Sequence, residues 1–597
     1  MSDEALLEEL NKALALHQAG CLTEAEAIYR AVLAEKPTSS SALNLLGVLY
    51  HQRGDNAQAA ELISQAIMVK ADYADYHNNF GVALLGLNRR EEAKRAFRAT
   101  LILNPNHVGA WSNMSAICGM GGDYAGAAEA CAKVLELNPN EDGSALCHLR
   151  LYLDTIGQWD YREELRGAIS AAIQLHADKR IHPWTVLSLE ISAEEQLRCA
   201  DRFAWAISAK ARSISEPFSH NPRPRRDRLR VGWLSGDFRN HSLGVLVIEC
   251  LELFDRQRFE SIAYSFGPND ESELRLRFEK AFDRFVEIGS LSFAEAAHKI
   301  AADEVDILVD LTGHIAFAKT EILALHPAPI QVNWLGYPGT MGGGLCDYIL
   351  ADPIVIPEGE EINYSEAVAR VSACFQANDR KRKISGKPQK RADHGLPEND
   401  FVFSALNNSF KVSPDMFDVW MRLLAQVPAS VLWMLSEGEE MEKNFRRSAS
   451  QRGIDPSRLV FAPRIISEEH RARLGLADLL LDTYPCGAHT TAGESLWIGL
   501  PLVTIAGETF ASRVAASLLS AVGLPQLIAD SFEDYEALAL RLATHPDELA
   551  FIRKHLTDNR DNLPLFDTPR LARDIGQAFE RMWGNFSAEQ PPSSFTV

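Results

Sequence analysis

The chain has 597 residues, 46% of them apolar and 24% charged, a composition that excludes extensive disorder and collagen-like fibres. At about 150 residues per domain, this length provides for roughly four domains. The 60 Lys and Arg residues are outnumbered by 81 Asp and Glu residues, and the net charge of −21 opposes non-specific attraction to nucleic acid or to an anionic membrane. We therefore expect no nucleic-acid partner.

The amino terminus, the apolar runs and the cysteines bear on the cellular location. The start MSDEALLEELNKAL is acidic and lacks the basic and apolar regions of a secretory signal. Runs such as ADLLLDTYP are far shorter than the roughly 20 residues that a membrane-spanning helix needs. The nine cysteines form no CxxC pair, which is typical of reduced cysteines. These features predict a cytoplasmic protein without a membrane span.

A period of 34 residues runs through the first quarter of the chain. An alanine recurs at Ala25, Ala59, Ala93 and Ala127, followed four residues later by the bulky Tyr29, Ile63 and Phe97. The same period relates Gly20, Gly54, Asn88 and Gly122, and also Pro37, Pro105 and Pro139. Small residues let paired helices approach, Gly or Asn ends the first helix, and Pro follows the second. The pattern resembles the tetratricopeptide repeat (TPR) and predicts an α-helical solenoid of four repeats over residues 6–141.

Such a solenoid exposes a concave face that binds peptides. Asn44, Asn78 and Asn113 lie almost one repeat apart on the first helices of successive units. Amides in such a row can hold a peptide backbone without reading its side chains, so we predict that they contact a protein substrate. Two alternatives are that the solenoid is only an oligomerisation spacer and that these are ordinary surface asparagines.

After the repeats the chain stays helical and then changes character. The segment SEPFSHNPRPRRDR combines a basic cluster with Pro217, Pro222 and Pro224, which is typical of a linker. The predicted domains are a TPR superhelix at 1–141, a helical connector at 142–212, a linker at 213–228, an amino-terminal lobe at 229–385, and a carboxy-terminal lobe with a final helix at 386–597.

Beyond the linker, short apolar runs alternate with amphipathic segments, which indicates parallel sheets with crossover helices. The runs form two clusters, so we predict two doubly wound lobes with ligands at the carboxyl ends of the strands. The runs are LRVGWLS, FESIAYSF, VDILVDLTG and APIQVNWLG, and then FVFSALNN, SVLWMLS, LVFAP, LLLDTYP and LVTIAG.

Several common ligand motifs are missing from these lobes. The sequence contains no GxGxxG after a strand, no GxxxxGK[ST] and no DxD, so neither a dinucleotide fingerprint nor a phosphate-binding P-loop is supported. DxD is the acidic pair that commonly holds a divalent metal on a pyrophosphate. Without it, a leaving phosphate must be neutralised by lysine and helix N-termini. We expect a reaction that uses no metal and no cofactor.

Four segments carry a specific resemblance: GDFRNHSLG, LGYPGT, NNSFKVSP and DTYPCGAHTTAGESLWIGLPLVT. In order and context they resemble the protein O-GlcNAc transferase and SPINDLY family over residues 6–585. The resemblance implies TPR repeats followed by an α/β transferase of the GT-B type with two Rossmann-like lobes. It also implies a nucleotide-sugar co-substrate and a protein substrate.

The resemblance assigns catalytic roles to Asp237, His241 and Lys411. Asp237 is considered a proton acceptor in the family, and His241 an essential group beside donor sugar and acceptor; imidazole titrates near working pH. Lys411 matches the lysine that neutralises the donor's phosphates. The alternatives are that Asp237 caps the following helix, that His241 packs in a turn and that Lys411 is an ordinary surface lysine.

The resemblance also implies donor-binding residues. His470 and Arg473 match positions that meet the nucleobase, although a charged helix start is often only a solvated cap. Tyr337, Pro338, Gly339 and Thr340 are expected to line the sugar pocket, unless they form a purely structural turn. Asn408 is expected to place a short amide near the phosphates, and Glu494 a carboxylate near the ribose. His489, Thr490 and Thr491 open a helix whose start is expected to cradle the phosphates.

We therefore interpret the chain as a protein O-glycosyltransferase that transfers a sugar to Ser or Thr, with GlcNAc as the default sugar. Within the same class, the alternatives are a flagellin glycosyltransferase using a CMP-nonulosonic acid and a SPINDLY-like O-fucosyltransferase using GDP-fucose. The alternative of another class is a non-catalytic TPR adaptor. A homodimer is a further predicted partnership, and inversion at the anomeric carbon is the expected stereochemistry.

Overall fold

The computed structural model describes residues 3–139, 143–175, 181–221 and 226–597. The chain divides into two compact units. One comprises Met1–Glu141 with His148–Leu153, and the other comprises Asp142–Cys147 with Asp154–Val597. Pro222 and Pro224 of the predicted linker lie outside the described residues.

The repeat unit consists of four helix pairs, as the 34-residue period predicts. Each pair turns at a left-handed residue, with φ of 81° at Gly20 and 57° at Asn88. The helices are α1 Asp3–Gln18, α2 Leu22–Glu35, α3 Ser40–Gln52, α4 Asn56–Val69, α5 Ala74–Gly86, α6 Arg90–Leu103, α7 Val108–Met120 and α8 Tyr124–Leu137.

The repeated alanines and bulky residues form the core of this unit. Ala93 is fully buried, and a Cβ atom at Gly81 would lie only 2.5 Å from the ring of Phe97. Phe97 thus packs over Gly81 of its own repeat, and it shares a core cluster with Ile117 and Cys118 of the next repeat. The bulky position therefore fills space within a repeat as well as between repeats.

The second unit contains both lobes and the helical connector, apart from His148–Leu153. A buried ion pair joins Arg162 to Asp154 at 2.6 Å in the connector, and a capping box of Ser192 and Glu195 starts its longest helix. The connector helices are α9 Ser144–Thr155, α10 Arg162–Leu175, α11 Pro183–Val186 and α12 Ala193–Arg212.

The first lobe is built on an eight-stranded parallel sheet of order β14-β7-β6-β5-β4-β1-β2-β3. Its strands are β1 Leu229–Ser235, β2 Phe259–Ser265, β3 Arg284–Glu287, β4 Ile307–Asp310, β5 Ile330–Asn333, β6 Tyr348–Ala351, β7 Ala367–Arg370 and β14 Phe595–Thr596. Its own helices are α13 Ser242–Glu252, α14 Glu273–Ala281, α15 Phe293–Ala302 and α16 Glu321–Ala324.

The second lobe is built on a six-stranded parallel sheet of order β10-β9-β8-β11-β12-β13. Its strands are β8 Phe401–Ala405, β9 Ser430–Leu435, β10 Leu459–Ala462, β11 Leu479–Leu481, β12 Leu502–Ile505 and β13 Ile528–Ala529. The helices that follow the first lobe are α17 Pro414–Gln426, α18 Glu439–Gln451, α19 Ser467–Leu474, α20 Thr490–Ile498, α21 Phe510–Ala521, α22 Phe532–Thr544, α23 Pro546–Asp558 and α24 Thr568–Ser587.

The end of the chain corrects the predicted boundary of the second lobe. Helix α24 packs on the first lobe, where Phe579 contacts Trp233, and β14 pairs with β7 at the edge of the first sheet. The chain therefore crosses between the lobes twice, near Asn378 and near Thr568. The two crossings are bonded to each other, because the Thr568 hydroxyl donates to the Asn378 carbonyl at 2.6 Å.

All nine cysteines are free thiols, and all except Cys21 are buried. Cys486 is 5% exposed and packs in a core cluster of the first lobe, as expected of a small packed residue. Among the helices of the described ranges, none is both long and apolar enough to cross a membrane.

Candidate functional site

A cavity of about 630 Å³ opens where the two lobes face each other, and we call it the donor cavity. The second lobe contributes the end of β9 and the segments that follow β8, β10 and β11. The first lobe contributes the start of α13. The carboxyl ends of parallel strands meet at one edge of a sheet, which explains why segments distant in sequence converge here. The lining residues are Asn240, His241, Ser242, Val245, Leu406, Asn407, Asn408, Lys411, Leu435, Arg464, Ile465, Ile466, Ser467, His470, Arg473, His489, Thr490, Thr491 and Glu494.

Lys411 lies beside the N-terminus of α20 in this cavity. Its ammonium donates to the Gly487 carbonyl at 2.7 Å, which fixes the charge next to Thr490 and Thr491. The first amide groups of a helix have no partner within the helix, and its dipole favours an anion at that end. The lysine and the helix start therefore form a binding site suited to phosphate.

The loop that leads into α20 is held by a buried carboxylate, Asp482. It accepts hydrogen bonds from the Ala488 amide at 2.6 Å and from the Thr504 hydroxyl at 2.7 Å. Burial raises the pKa of Asp482 to about 6, against the bonds from Thr504 and the backbone. The sequence analysis missed this positioning residue, although it ends the apolar run LLLD.

The two histidines that the second lobe contributes to the donor cavity are neutral near pH 7. Burial, helped by the charge of Lys411, lowers the pKa of His489 to about 3, and burial with nearby arginines lowers that of His470 to about 4. The Arg473 side chain is 1% exposed and donates to His470 Nδ1 at 3.1 Å and to the Pro463 carbonyl at 2.7 Å. Arg473 thus orients the His470 ring, which places the proton of that neutral ring on Nε2.

Arg464 is a cation of the donor cavity that the sequence analysis did not identify. Its guanidinium donates to Asn408 Oδ1 and to Glu437 Oε1, each at 2.7 Å. Asn408, predicted as a donor contact, therefore has its amide oxygen engaged and its amide nitrogen directed away from Arg464. Arg464 lies shortly after the end of β10. This position after a strand of the second lobe was the sequence signal that could have identified it as a cavity residue.

Glu494 lies at the donor cavity as predicted, but it is paired with a second arginine. Arg471 donates to Glu494 Oε1 at 2.9 Å, and the two side chains are 4% and 8% exposed. Arg471 is held in turn by the Lys383 carbonyl, to which its Nε donates at 2.7 Å. A ribose hydroxyl would meet a carboxylate whose position Arg471 already fixes.

The first lobe presents His241 to the cavity, with Asp237 behind it. The Leu243 amide donates to His241 Nδ1 at 3.3 Å, so His241 rather than Asp237 caps α13, and the neutral ring carries its proton on Nε2. Burial lowers the pKa of His241, against the charge of Asp237. Asp237 is 6% exposed, does not line the cavity and accepts from Arg239 at 3.1 Å; its carboxylate lies 3.4 Å from His241 Nδ1.

The predicted sugar-pocket segment from Tyr337 to Thr340 does not line the donor cavity. All four residues are buried, and the Thr340 hydroxyl donates to the carboxylate of Glu366 at 2.6 Å, which also accepts from the Met341 amide at 2.7 Å. The buried carboxylate of Glu366 thus holds the segment in place. Such a contact is expected of the alternative interpretation, in which Tyr337, Pro338, Gly339 and Thr340 form a structural turn.

The predicted asparagines of the repeat unit bond to asparagines of neighbouring repeats. Asn79 Nδ2 donates to Asn44 Oδ1, and Asn113 Nδ2 donates to Asn78 Oδ1, each at 3.0 Å. These pairs show a structural role, the joining of successive repeats. Contact with a peptide stays a prediction for Asn44, Asn78 and Asn113.

Nine predicted site residues therefore converge on one cavity: His241, Asn408, Lys411, His470, Arg473, His489, Thr490, Thr491 and Glu494. Asp237 contacts the cavity only through His241. Within the described ranges, no three His, Cys, Asp or Glu side chains are grouped so as to hold a metal ion.

Models of known protein families match most of the chain. The model of glycosyl transferase family 41 matches residues 158–390 and 387–575. Two tetratricopeptide repeat models match residues 16–78 and 78–142. Together these matches cover both units of the structure.

Two similar proteins come from Arabidopsis thaliana. The chain is 35% identical to the probable UDP-N-acetylglucosamine–peptide N-acetylglucosaminyltransferase SEC over 428 residues, 69% of this chain and 43% of that protein. It is 30% identical to the probable enzyme of the same type named SPINDLY over 377 residues, 61% of this chain and 40% of that protein. The chain thus matches about two fifths of the length of each relative.

A solved structure shows the same fold over nearly the whole length. The O-GlcNAc transferase of Thermobaculum terrenum, solved as a point mutant, aligns over 99% of both chains with a TM-score of 0.63 and 24% sequence identity. At this identity the likeness concerns the fold.

Proposed function

Because the chain belongs to glycosyl transferase family 41, we propose that it transfers a sugar from a nucleotide-sugar donor to Ser or Thr of a protein, with UDP-N-acetylglucosamine as the donor. One observation carries the proposal: Lys411, the start of α20 and His241 of the opposite lobe line a single cavity. This arrangement suits a ligand with phosphates at one end and a reacting carbon at the other.

The departing nucleotide diphosphate is the charge that the site must stabilise. Lys411 and the amides at the start of α20 are fixed before the reaction, and preorganised donors of this kind stabilise charge that develops in the transition state. Since Gly487 and Asp482 hold these groups in place, little reorganisation is needed as the glycosidic bond breaks.

His241 acts at the reacting end as a hydrogen-bond donor. Its Nδ1 accepts from the Leu243 amide, so Nε2–H is the group left to orient the sugar or the acceptor hydroxyl. Asp237, held by Arg239, lies behind the ring, where its negative charge favours the protonated form of the imidazole. The nucleoside is bound by His470, which Arg473 orients, and by Glu494, which Arg471 orients.

The names of the relatives support UDP-N-acetylglucosamine as donor. Glu494 in the sequence GESL resembles the SPINDLY proteins, so GDP-fucose is the second candidate. The repeat unit supplies the protein-binding surface in this proposal. Flagellin as acceptor, a CMP-nonulosonic acid as donor, a homodimer and a cytoplasmic location stay predictions from the sequence.

The test has two steps. Thermal unfolding is measured with UDP, GDP and CMP, and sugar release is then measured from the sugar nucleotide of the base that stabilises most. We expect UDP to stabilise the protein and UDP-N-acetylglucosamine to be hydrolysed slowly without acceptor, with both effects lost in Lys411→Ala. Stabilisation by none of the three, or an unaltered response of Lys411→Ala, would refute the proposal.

A further inference from the structure

Arg464 is a charged side chain of the donor cavity to which none of the roles above has been given. It follows the end of β10 and begins a stretch of four consecutive lining residues, 464–467. Its side chain is 61% exposed and lines the cavity, so a ligand bound there can reach the guanidinium. The cavity thus holds an accessible hydrogen-bond donor whose partner is still to be assigned.

A buried carboxylate, Glu437, fixes the position of this guanidinium. Arg464 Nη2 donates to Glu437 Oε1 and to Asn408 Oδ1, each at 2.7 Å. The Glu437 side chain is 6% exposed, and burial raises the pKa of its carboxyl, against the charge of Arg464. Separating the pair would leave a buried charge without its partner, so Glu437 keeps Arg464 in place.

The remaining nitrogens of Arg464 are open to a ligand. Nε and Nη1 have no hydrogen-bond partner among the described residues, while a guanidinium carries N–H groups on all three nitrogens in one rigid plane. Because Glu437 balances the positive charge, these donors suit a neutral acceptor such as a carbonyl oxygen. Lys411, in contrast, donates to a neutral carbonyl and keeps its positive charge for phosphate.

Arg464 lies near the residues proposed to bind the nucleoside. The carbonyl of the preceding residue, Pro463, accepts from Arg473 at 2.7 Å, and Arg473 also orients His470. Burial lowers the pKa of His470, and Arg464 is among the arginines whose charge lowers it further, so the guanidinium is within electrostatic range of that ring. A carbonyl oxygen presented to Arg464 is therefore expected to belong to the nucleobase.

Building on the proposed function, in which a nucleotide sugar occupies the donor cavity, we propose that Arg464 determines base specificity. It donates through Nε or Nη1 to the exocyclic oxygen of an oxo base, O4 of uracil or O6 of guanine. Cytosine and adenine carry an amino group at the corresponding atom, which would set one donor against another. A site built to donate to a ligand atom rejects an analogue that lacks the acceptor, because its polar groups are then left unpaired.

The test compares nucleotides that share ribose and diphosphate and differ in the base edge. UDP and CDP form one such pair, and GDP and ADP give the same contrast among purines. Calorimetry with the full chain should show the oxo nucleotide of the preferred pair binding about tenfold more tightly than its amino counterpart. Arg464→Met should weaken the oxo nucleotide about tenfold and leave the amino nucleotide nearly unchanged, so that the preference disappears.

Two further variants separate this role from charge and from folding. Arg464→Met leaves Glu437 without its cation, so circular dichroism is used to check the fold. Arg464→Lys keeps a charge for Glu437 but has a single nitrogen, so it should also lose the preference for the oxo base. Arg447→Met, at an exposed arginine of α18, is the matched control and should keep the wild-type preference.

The outcomes distinguish this proposal from the transferase function on which it rests. An equal loss of affinity for UDP and CDP in Arg464→Met would assign Arg464 to the phosphates and overturn the proposal. So would tighter binding of an amino nucleotide by wild type, or equal affinity within both pairs. These results would leave sugar transfer itself standing, whereas binding of none of the four nucleotides would refute both proposals.

Discussion

The second lobe reaches the donor cavity with four successive strand ends, whereas the first lobe reaches it with the start of one helix. The second lobe supplies Lys411, Arg464, the start of α20 and the residues that hold them. The first lobe supplies His241 and its neighbours. The difference suggests a division of work, in which one lobe binds the nucleotide and the other acts at the sugar, and each prediction below tests that division.

The largest effect is expected from the phosphate contact of the second lobe. Lys411→Ala should lower the rate of sugar transfer about 10²- to 10³-fold, since it removes a preorganised charge at the leaving group. It should also weaken nucleotide binding. Lys443→Ala, a 73% exposed lysine of α18, is the control. Transfer at half the wild-type rate in Lys411→Ala would contradict the assignment.

The first-lobe contact should affect the rate and spare the nucleotide. His241→Ala is expected to lower transfer about 10²-fold by loss of a donor at the reacting end, with nucleotide affinity nearly unchanged. His241→Asn keeps a helix cap and an N–H donor, so it should recover part of the rate. Equal losses of rate and nucleotide affinity would show that His241 belongs to the nucleotide site.

His470, one of the two histidines that the second lobe contributes to the donor cavity, makes stability depend on pH. His470 has a pKa of about 4 when folded, below its ordinary value of 6.5, so between pH 7 and 5 the unfolded chain takes up a proton that the folded chain refuses. Its contribution to the free energy of unfolding should fall by about 2 kcal/mol over that range. Urea titrations at both pH values should show a smaller fall for His470→Gln than for wild type; equal falls would contradict the burial of this ring.

The smallest effect is expected at Glu494. Glu494→Gln keeps the shape of the side chain but removes the charge that binds Arg471 and the ribose, so nucleotide affinity should fall about tenfold. Calorimetry with the preferred nucleotide measures this. Aspartate at this position is too short to keep the 2.9 Å contact with Arg471, and Glu494→Asp should resemble Glu494→Gln. Wild-type affinity in both variants would remove Glu494 from the site.

Local sequence patterns predicted the helix pairs and most of the longer strands, whereas the family resemblance identified most residues of the donor cavity. The 34-residue period predicted the four helix pairs, and the nine apolar runs all contain strands. Lys411 and Thr490 were identified through the family resemblance, and the convergence of parallel strand ends explains why the segments after β8 and β11 meet. Short edge strands such as β13 and β14 carry too little pattern to be predicted.

Other features depend on partners that are distant in sequence. The Tyr337–Thr340 segment is shaped by Glu366, and the contact of Arg471 with Glu494 joins two helices. No spacing rule shows which of two nearby arginines, Arg471 or Arg473, meets a carboxylate and which orients a histidine. The return of α24 to the first lobe likewise depends on the packing of Phe579 against Trp233.

The double passage of the chain between the lobes limits how the cleft can open. Since the hydroxyl of Thr568 ties the second passage to the first at Asn378, the lobes are joined by two adjacent strands of backbone instead of one. The helical connector adds a further bridge, since Thr155 accepts a hydrogen bond from Ser409 of the second lobe and Asp201 accepts one from Gly343 of the first. If the cleft opens to release the nucleotide in the proposed reaction, these connections should let His241 and Lys411 separate and return to the same relative position.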